Sequence, residues 1–188
     1  KSESGEAMLM GGPQFWWTVP GFLMEVGLHG AGFNCVGTTV VSFPFVMFGH
    51  SDHHAWSSTY GVGNLVDNYL LTLNPDNAEQ YWYNGAWKDM EKRIETIKVK
   101  GQPDSVELLY RSVHGPVHNV LPDNQAYARR RAFEGRDLMT WVGYLESNRA
   151  ADVEEFREAA EKAAYSMNWF YADTGGDIAH FYLGHYPV

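Results

Sequence analysis

Three imidazoles and a carboxylate fall within five consecutive positions of one segment, Gly49-His50-Ser51-Asp52-His53-His54. Imidazole nitrogens and carboxylate oxygens ligate zinc and related divalent metals, so His50, Asp52, His53 and His54 define a metal-hydrolase reading. The same residues also fit a polar turn between two strands, because alternation puts His50 and Asp52 on one face and their neighbours across the pleat. His114 and His118 bracket Gly115-Pro116-Val117. The proline forbids the helix that would align them at i, i+4 spacing, which leaves this pair a structural role. Serines are plentiful, yet none sits in a Gly-x-Ser-x-Gly elbow and no Ser/His/Asp order stands out. Cys35 is the only cysteine, so it forms no internal disulfide and reads as a small apolar filler.

These groups must be positioned by a chain of 188 residues, long enough for one sizeable core or part of a larger one. Hydrophobic residues make 45% and aromatics 15%, a composition of packed structure and not of disorder. The chain has 14 basic against 23 acidic residues, a net charge of −9, and lacks the basic face that sequence-independent nucleic-acid binding requires. Arg129-Arg130-Arg131 is the single dense basic run and reads as a solvated strand end, with a phosphate site as the alternative. No apolar run reaches the roughly 20 residues of a membrane span. Lys1 to Glu6 lack the features of a signal peptide, and the start is abrupt, as expected of a processed or excised chain.

Short β-prone runs separated by glycine occupy the first part of the chain: Ala7–Met10, Gly32–Phe43, Val46–Phe48, Ala55–Tyr60 and Val66–Leu73. Tyr83-Asn84-Gly85-Ala86 is a hairpin signal, and Glu91–Val99 and Ser105–Val113 alternate as paired strands around Gly101–Asp104. Apolar spacing of three and four predicts helices over Arg136–Ser147 and Asp152–Tyr165, the second opened by Asp152 as N-cap with Glu155 completing a capping box. Asn168–Asp173 and Asp177–Tyr182 flank Thr174-Gly175-Gly176 as a last hairpin. Strands, two helices, then strands make an α+β chain without repeats or linkers.

Several motifs, in order, extend over nearly the whole chain: Gly12-Pro13-Gln14-Phe15, Val26–Phe33, Phe43-Pro44, Phe48-Gly49-His50, Ser57–Asn64, Arg111–Val117 and Ser166–Asp173. Together they resemble the large subunit of the penicillin acylase family, whose members are N-terminal nucleophile hydrolases. The resemblance implies part of a four-layer αββα fold, stacked antiparallel sheets with flanking helices. It treats residues 1–188 as one fragment of the large-subunit domain. It also implies amide hydrolysis by the hydroxyl of a terminal residue whose own α-amine, near neutral pKa, serves as base. Lys1 carries no such nucleophile. The family's terminal serine would stand one short strand upstream, and Ser2 and Ser4 read as turn or strand-edge residues. The family's oxyanion-hole asparagine and supporting arginine would follow Val188.

By the same resemblance, Gln14 matches the residue whose backbone holds the substrate amide. Pro13, Phe15, Met47, Phe48, Ser58, Tyr144 and Met167 match positions lining an apolar acyl cup. Tyr60 falls where a backbone N–H serves as an oxyanion donor, a place usually held by a small residue. Asn64, Val66 and Asp67 match a calcium-binding loop. The implied chemistry needs no cofactor, calcium being structural. The implied partners are an N-acyl amide substrate, a small subunit and the rest of the large subunit, with no nucleic acid and no membrane span, in the periplasm or medium.

Three functions follow as expectations. The parent protein hydrolyses a linear amide of a penicillin, an N-acyl homoserine lactone or a related compound, and this chain alone is inactive. Alternatively, the chain is a non-catalytic module that binds acyl or aromatic carboxylates. The third is the metal hydrolase at His50, Asp52, His53 and His54.

Overall fold

The computed structural model describes residues 2–186. In chain order the strands are β1 (Leu23–Gly30), β2 (Phe33–Val40), β3 (Phe48–Ser51), β4 (His54–Tyr60), β5 (Val66–Asn74), β6 (Asn77–Tyr83), β7 (Ala86–Asp89), β8 (Glu91–Ile97), β9 (Ser105–Ser112), β10 (Gly115–Leu121) and β11 (Gln125–Arg131). Helices α1 (Met139–Ser147) and α2 (Val153–Ala160) follow, then β12 (Met167–Asp173) and β13 (Ile178–Leu183). The chain divides into two compact units, one formed by residues 1–65 and 135–188 and the other by residues 66–134.

The first unit holds an antiparallel sheet in the order β1-β2-β3-β4-β12-β13 and both helices. Alternation along β4 and β12 directs Trp56, Trp169 and Tyr171 to one face, where they are buried with Phe45, Val46 and Cys35. Phe156 of α2 covers that face, its ring 4.9 Å from Tyr171 and 5.9 Å from Trp169. β2 and β3 approach closely because Gly37 and Gly49 are register partners. A Cβ on Gly37 would lie 2.1 Å from the Phe48 carbonyl oxygen, so the ladder closes only around hydrogen.

The second unit is a sheet in the order β7-β6-β5-β11-β10-β9-β8. Small residues face large ones across β11 and β5: Ala126 pairs with Leu71 and Ala128 with Tyr69, leaving room for the buried Tyr81 and Met90. The β6–β7 hairpin turns through Asn84 and Gly85, both at positive φ, which is the geometry that the Asn-Gly pair signals. Arg129–Arg131 end β11, as a strand-end reading requires, and Arg129 donates to Asn68 Oδ1 at 3.3 Å.

The α+β expectation and the hairpins hold, with differences at the edges. Ala7–Met10 forms no strand, and the strand expected over Val46–Phe48 begins only at Phe48. Asp152 does cap α2, accepting from the Glu154 and Glu155 N–H groups, while Glu155 reaches back to the N–H of Ala151. The helix stops at Ala160, short of Tyr165, because the Ala164 and Tyr165 N–H groups are taken by Thr140 Oγ1. The first helix starts at Met139, three residues after Arg136. Ser2 and Ser4 lie in or beside a turn closed by Gly5 N–H on the Ser2 carbonyl, and Lys1 lies outside the described residues.

Candidate functional site

Ser58, Tyr144 and Met167, three of the residues the resemblance singles out, meet within the first unit. Ser58, on the face of β4 that turns inward, lies opposite Trp169 of β12, two pairs from Met167 opposite Tyr60. Tyr144 reaches the same point from α1. Its Oη lies 2.8 Å from Ser58 Oγ and donates to Met167 Sδ at 3.7 Å. Because the thioether only accepts, the Ser58 hydroxyl is the donor to Tyr144, and the three residues form one directed chain. The Tyr144 ring is packed between Phe45, stacked at 4.7 Å, and Trp169 at 4.3 Å. Burial pushes its phenol far above the usual tyrosine range, so the group stays protonated. Met47 packs against the same core cluster as Tyr144 and Met167.

Phe15 and Phe48, also singled out by the resemblance, belong to a second group of aromatic rings. Phe15 lies 6.5 Å from the buried Phe48 and 4.9 Å from Phe22. Pro13, Gln14 and Phe15 belong to an extended segment that lines a cleft with Trp16, Trp17 and Phe22. Gln14 is exposed there, free of any strand.

Tyr60 ends β4 and is 77% exposed, so what it offers at the strand end is decided by the direction of its backbone N–H. Two bonds fix the pairing phase of β4 with β12. Thr174 N–H donates to the His53 carbonyl and Gly61 N–H to the Ser166 carbonyl, each at 2.9 Å. With the register unbroken between them, odd-numbered residues of β4 exchange bonds with β12. The Thr59 carbonyl therefore faces β12, and the Tyr60 N–H, on the opposite side of the same peptide, points away from it. On that side β3 pairs only with Ala55 and Trp56, so the strand that would use this N–H has already ended.

The whole chain, residues 1–188, matches the family model described as penicillin amidase. The chain belongs to the penicillin amidase family. It is 35% identical over 191 residues to penicillin G acylase of Escherichia coli, a match covering 100% of this chain and 22% of that protein. It is 25% identical over 201 residues to the acyl-homoserine lactone acylase QuiP of Pseudomonas aeruginosa, covering 100% of this chain and 24% of that one. Among solved structures, the thermostable penicillin G acylase from Alcaligenes faecalis superposes with a TM-score of 0.85 at 41% identity, over 92% of this chain and 32% of that chain. The chain thus spans about a quarter or less of the curated relatives named.

The geometry of the histidine segment argues against the metal-hydrolase reading. β3 and β4 turn at Asp52 and His53, as the polar-turn reading has it. His54 points into the core, where its Nε2–H donates to the Ser147 carbonyl at 3.0 Å and Nδ1 accepts from Ser51 Oγ at 3.1 Å. Burial holds its imidazole below the ordinary histidine pKa. Asp52 is engaged by the Asn34 amide. The four residues therefore do not converge on one ion, and no three His, Cys, Asp or Glu side chains do among the described residues. His114 is likewise occupied, stacked on Tyr69 at 4.1 Å.

The family-implied calcium ligands fare differently in kind. Asn64, Val66 and Asp67 are all exposed and supply a single carboxylate, whereas calcium takes six to eight oxygens. These three residues do not by themselves fit the ion.

Sequence reasoning missed Asn148. Its buried amide accepts from Val46 N–H at 2.8 Å and donates to the Val46 carbonyl at 2.9 Å, fixing the backbone just before Met47 and Phe48. An asparagine after a helix carries no local signal of such a contact.

Proposed function

We propose that the protein to which this chain belongs hydrolyses a linear amide, transferring an aromatic or aliphatic acyl group to a terminal nucleophile supplied from outside the described residues, and then to water. The observation that carries this reading is the Tyr60 N–H, turned away from β12 onto an unpaired strand end beside the Ser58–Tyr144–Met167 cluster. An N–H held there is suited to receive the negative charge that develops on the carbonyl oxygen of a tetrahedral intermediate. The Ser58 hydroxyl is committed to Tyr144, which leaves the cup floor apolar and suited to an acyl tail. Phe15 and Phe48 offer ring faces to the same tail, and Pro13 and Gln14 stand at its amide end. Penicillin G acylase of Escherichia coli is more similar to this chain than the homoserine lactone acylase is, which puts penicillins among the candidate substrates. The acyl-homoserine lactone acylase adds acyl-homoserine lactones to them.

A small subunit, the remainder of the large subunit and a periplasmic or secreted location belong to this proposal. So does a calcium ion at Asn64, Val66 and Asp67, whose further oxygens would come from elsewhere. No helix among the described residues is long and apolar enough to cross a membrane. The test is turnover by the full-length, processed protein on an arylacetamide and on N-acyl homoserine lactones. Release of the acid from either supports the reading, and absence of turnover across a broader acyl-amide panel overturns it.

A further inference from the structure

After Tyr60 the chain leaves the sheet through Gly61–Gly63, yet its peptide groups are held one by one by side chains of β12, of β13 and of Ser166 just before β12. Asn168 Nδ2 donates to the Tyr60 carbonyl at 3.3 Å. The Tyr182 hydroxyl donates to the Gly61 carbonyl at 2.9 Å, and Ser166 Oγ accepts from Gly63 N–H at 2.8 Å. Space is equally restrictive: a Cβ on Gly61 would lie 2.4 Å from Ser166 Oγ and 2.6 Å from the Met167 nitrogen. Val62 adopts φ of 57°, a left-handed conformation that a β-branched residue takes only when its surroundings enforce it.

Asn168 is itself oriented. Its Oδ1 lies 2.8 Å from His180 Nε2, and since a carbonyl oxygen only accepts, His180 is the donor there and the Asn168 amide N–H is aimed at Tyr60. The His180 ring is steadied by stacking on Phe170 at 4.9 Å. A chain of two hydrogen bonds thus runs from an exposed histidine on β13 to the residue whose N–H is presented at the strand end.

We infer that Asn168, oriented by His180, is a positioning residue that sets the direction of the Tyr60 N–H for oxyanion binding. The inference rests on the amidase reading above. Neither side chain needs to touch substrate: pairing with β12 sets the peptide that carries the Tyr60 N–H, while Asn168 on the Tyr60 carbonyl and the Ser166 carbonyl on the Gly61 N–H hold the next peptide, so that Tyr60 is clamped on both sides at the strand end. Preorganisation of this kind acts on the transition state more than on substrate binding.

The experiment compares Asn168→Ala, His180→Phe and His180→Gln in the full-length, processed protein, with kcat and KM measured on an arylacetamide and folding checked by thermal unfolding. Asn168→Ala is expected to lower kcat about tenfold with KM within about twofold, less than the roughly 10²–10³-fold loss on deleting an oxyanion donor. His180→Phe should lower kcat severalfold, and His180→Gln, which keeps a donor for Asn168, should restore it. Should Asn168→Ala fail to fold, the exposed His180 pair still decides. An active wild type whose kcat is unmoved by Asn168→Ala or His180→Phe, or a loss confined to KM, overturns the inference. A wild type without turnover overturns the amidase reading instead. In that event the Tyr60 amide resonance of the ¹⁵N-labelled chain decides whether Asn168 orients it: a shift in His180→Phe that His180→Gln reverses supports the positioning, and an unmoved resonance overturns it.

Discussion

Ser58 and Tyr144 stand 86 residues apart in the chain and share a 2.8 Å hydrogen bond. One comes from β4 and the other from α1, so the bond ties a helix to the sheet. Both residues are buried, and the Tyr144 hydroxyl donates its one hydrogen bond to Met167 Sδ.

Removing both partners should therefore cost less than the two single removals added together. Tyr144→Phe leaves the Ser58 hydroxyl unpaired in an apolar site, a loss of about 1–3 kcal/mol, and Ser58→Ala takes from Tyr144 its donor. In the double variant neither polar group is left stranded, so its loss of stability should be smaller than the sum of the two single losses. Urea unfolding of the four proteins measures this coupling. Strict additivity would show that the bond contributes nothing.

His54 predicts an acid-sensitive stability. Burial lowers its pKa in the folded chain below the ordinary 6.5, against a smaller upward pull from the Ser147 carbonyl. Below pH 6.5 the unfolded chain binds the proton more readily than the folded one. The contribution of His54 is thus complete above that pH and is lost as pH falls toward the lower folded value. Unfolding midpoints of wild type and His54→Gln between pH 7.5 and 5 should diverge at neutral pH and converge on acidification. Parallel curves would rule out His54 as the source.

How much of this was legible beforehand depended on how local each cause is. Asn84-Gly85 announced its hairpin because the turn needs positive φ at both positions, and Asp152 announced its helix because a cap acts within one turn. The strands Leu23–Gly30 and Gly115–Leu121 escaped, since glycines and Pro116 break the alternation that marks a strand. The end of α2 was misjudged because Thr140, more than twenty positions upstream, takes the amides that would have continued it. For the site, ordered motifs brought Ser58, Tyr144 and Met167 to one place. The Asn148 clamp and the Asn168–His180 relay join residues too far apart in sequence for any pattern to show.

Gly37→Ala is expected to be strongly destabilising although the residue lies in a regular strand. The added methyl would meet the Phe48 carbonyl at 2.1 Å and Gly49 Cα at 2.6 Å, and both are backbone atoms that move only if β2 and β3 separate. Overpacking of this kind costs about 1–3 kcal/mol and sometimes more. Denaturant unfolding should show it, with Gly12→Ala as a control, because a Cβ at Gly12 meets nothing within 4 Å. Equal stability of the two variants would contradict the close approach of the strands.

Asn148→Asp separates the shape of the Asn148 clamp from its chemistry. The Val46 N–H would still find an acceptor, but the Val46 carbonyl would face a carboxylate oxygen in place of an N–H, at a position 1% exposed. Burial and that lone-pair repulsion both favour the protonated acid, which can donate to the carbonyl as the amide does. The folded-state pKa of the new group should consequently rise above its unfolded value. A raised acid pKa gives stability that is present below the unfolded value and is lost as pH climbs through the folded one. The variant should therefore approach wild-type stability near pH 4 and fall progressively behind it toward neutrality, whereas Asn148→Ala should trail by a constant amount. Since Val46 leads directly into Met47 and Phe48, acyl-group selectivity of the full-length protein should loosen in the same pH range. A pH-independent gap between Asn148→Asp and wild type would mean that the amide acts by filling space and not by its two hydrogen bonds.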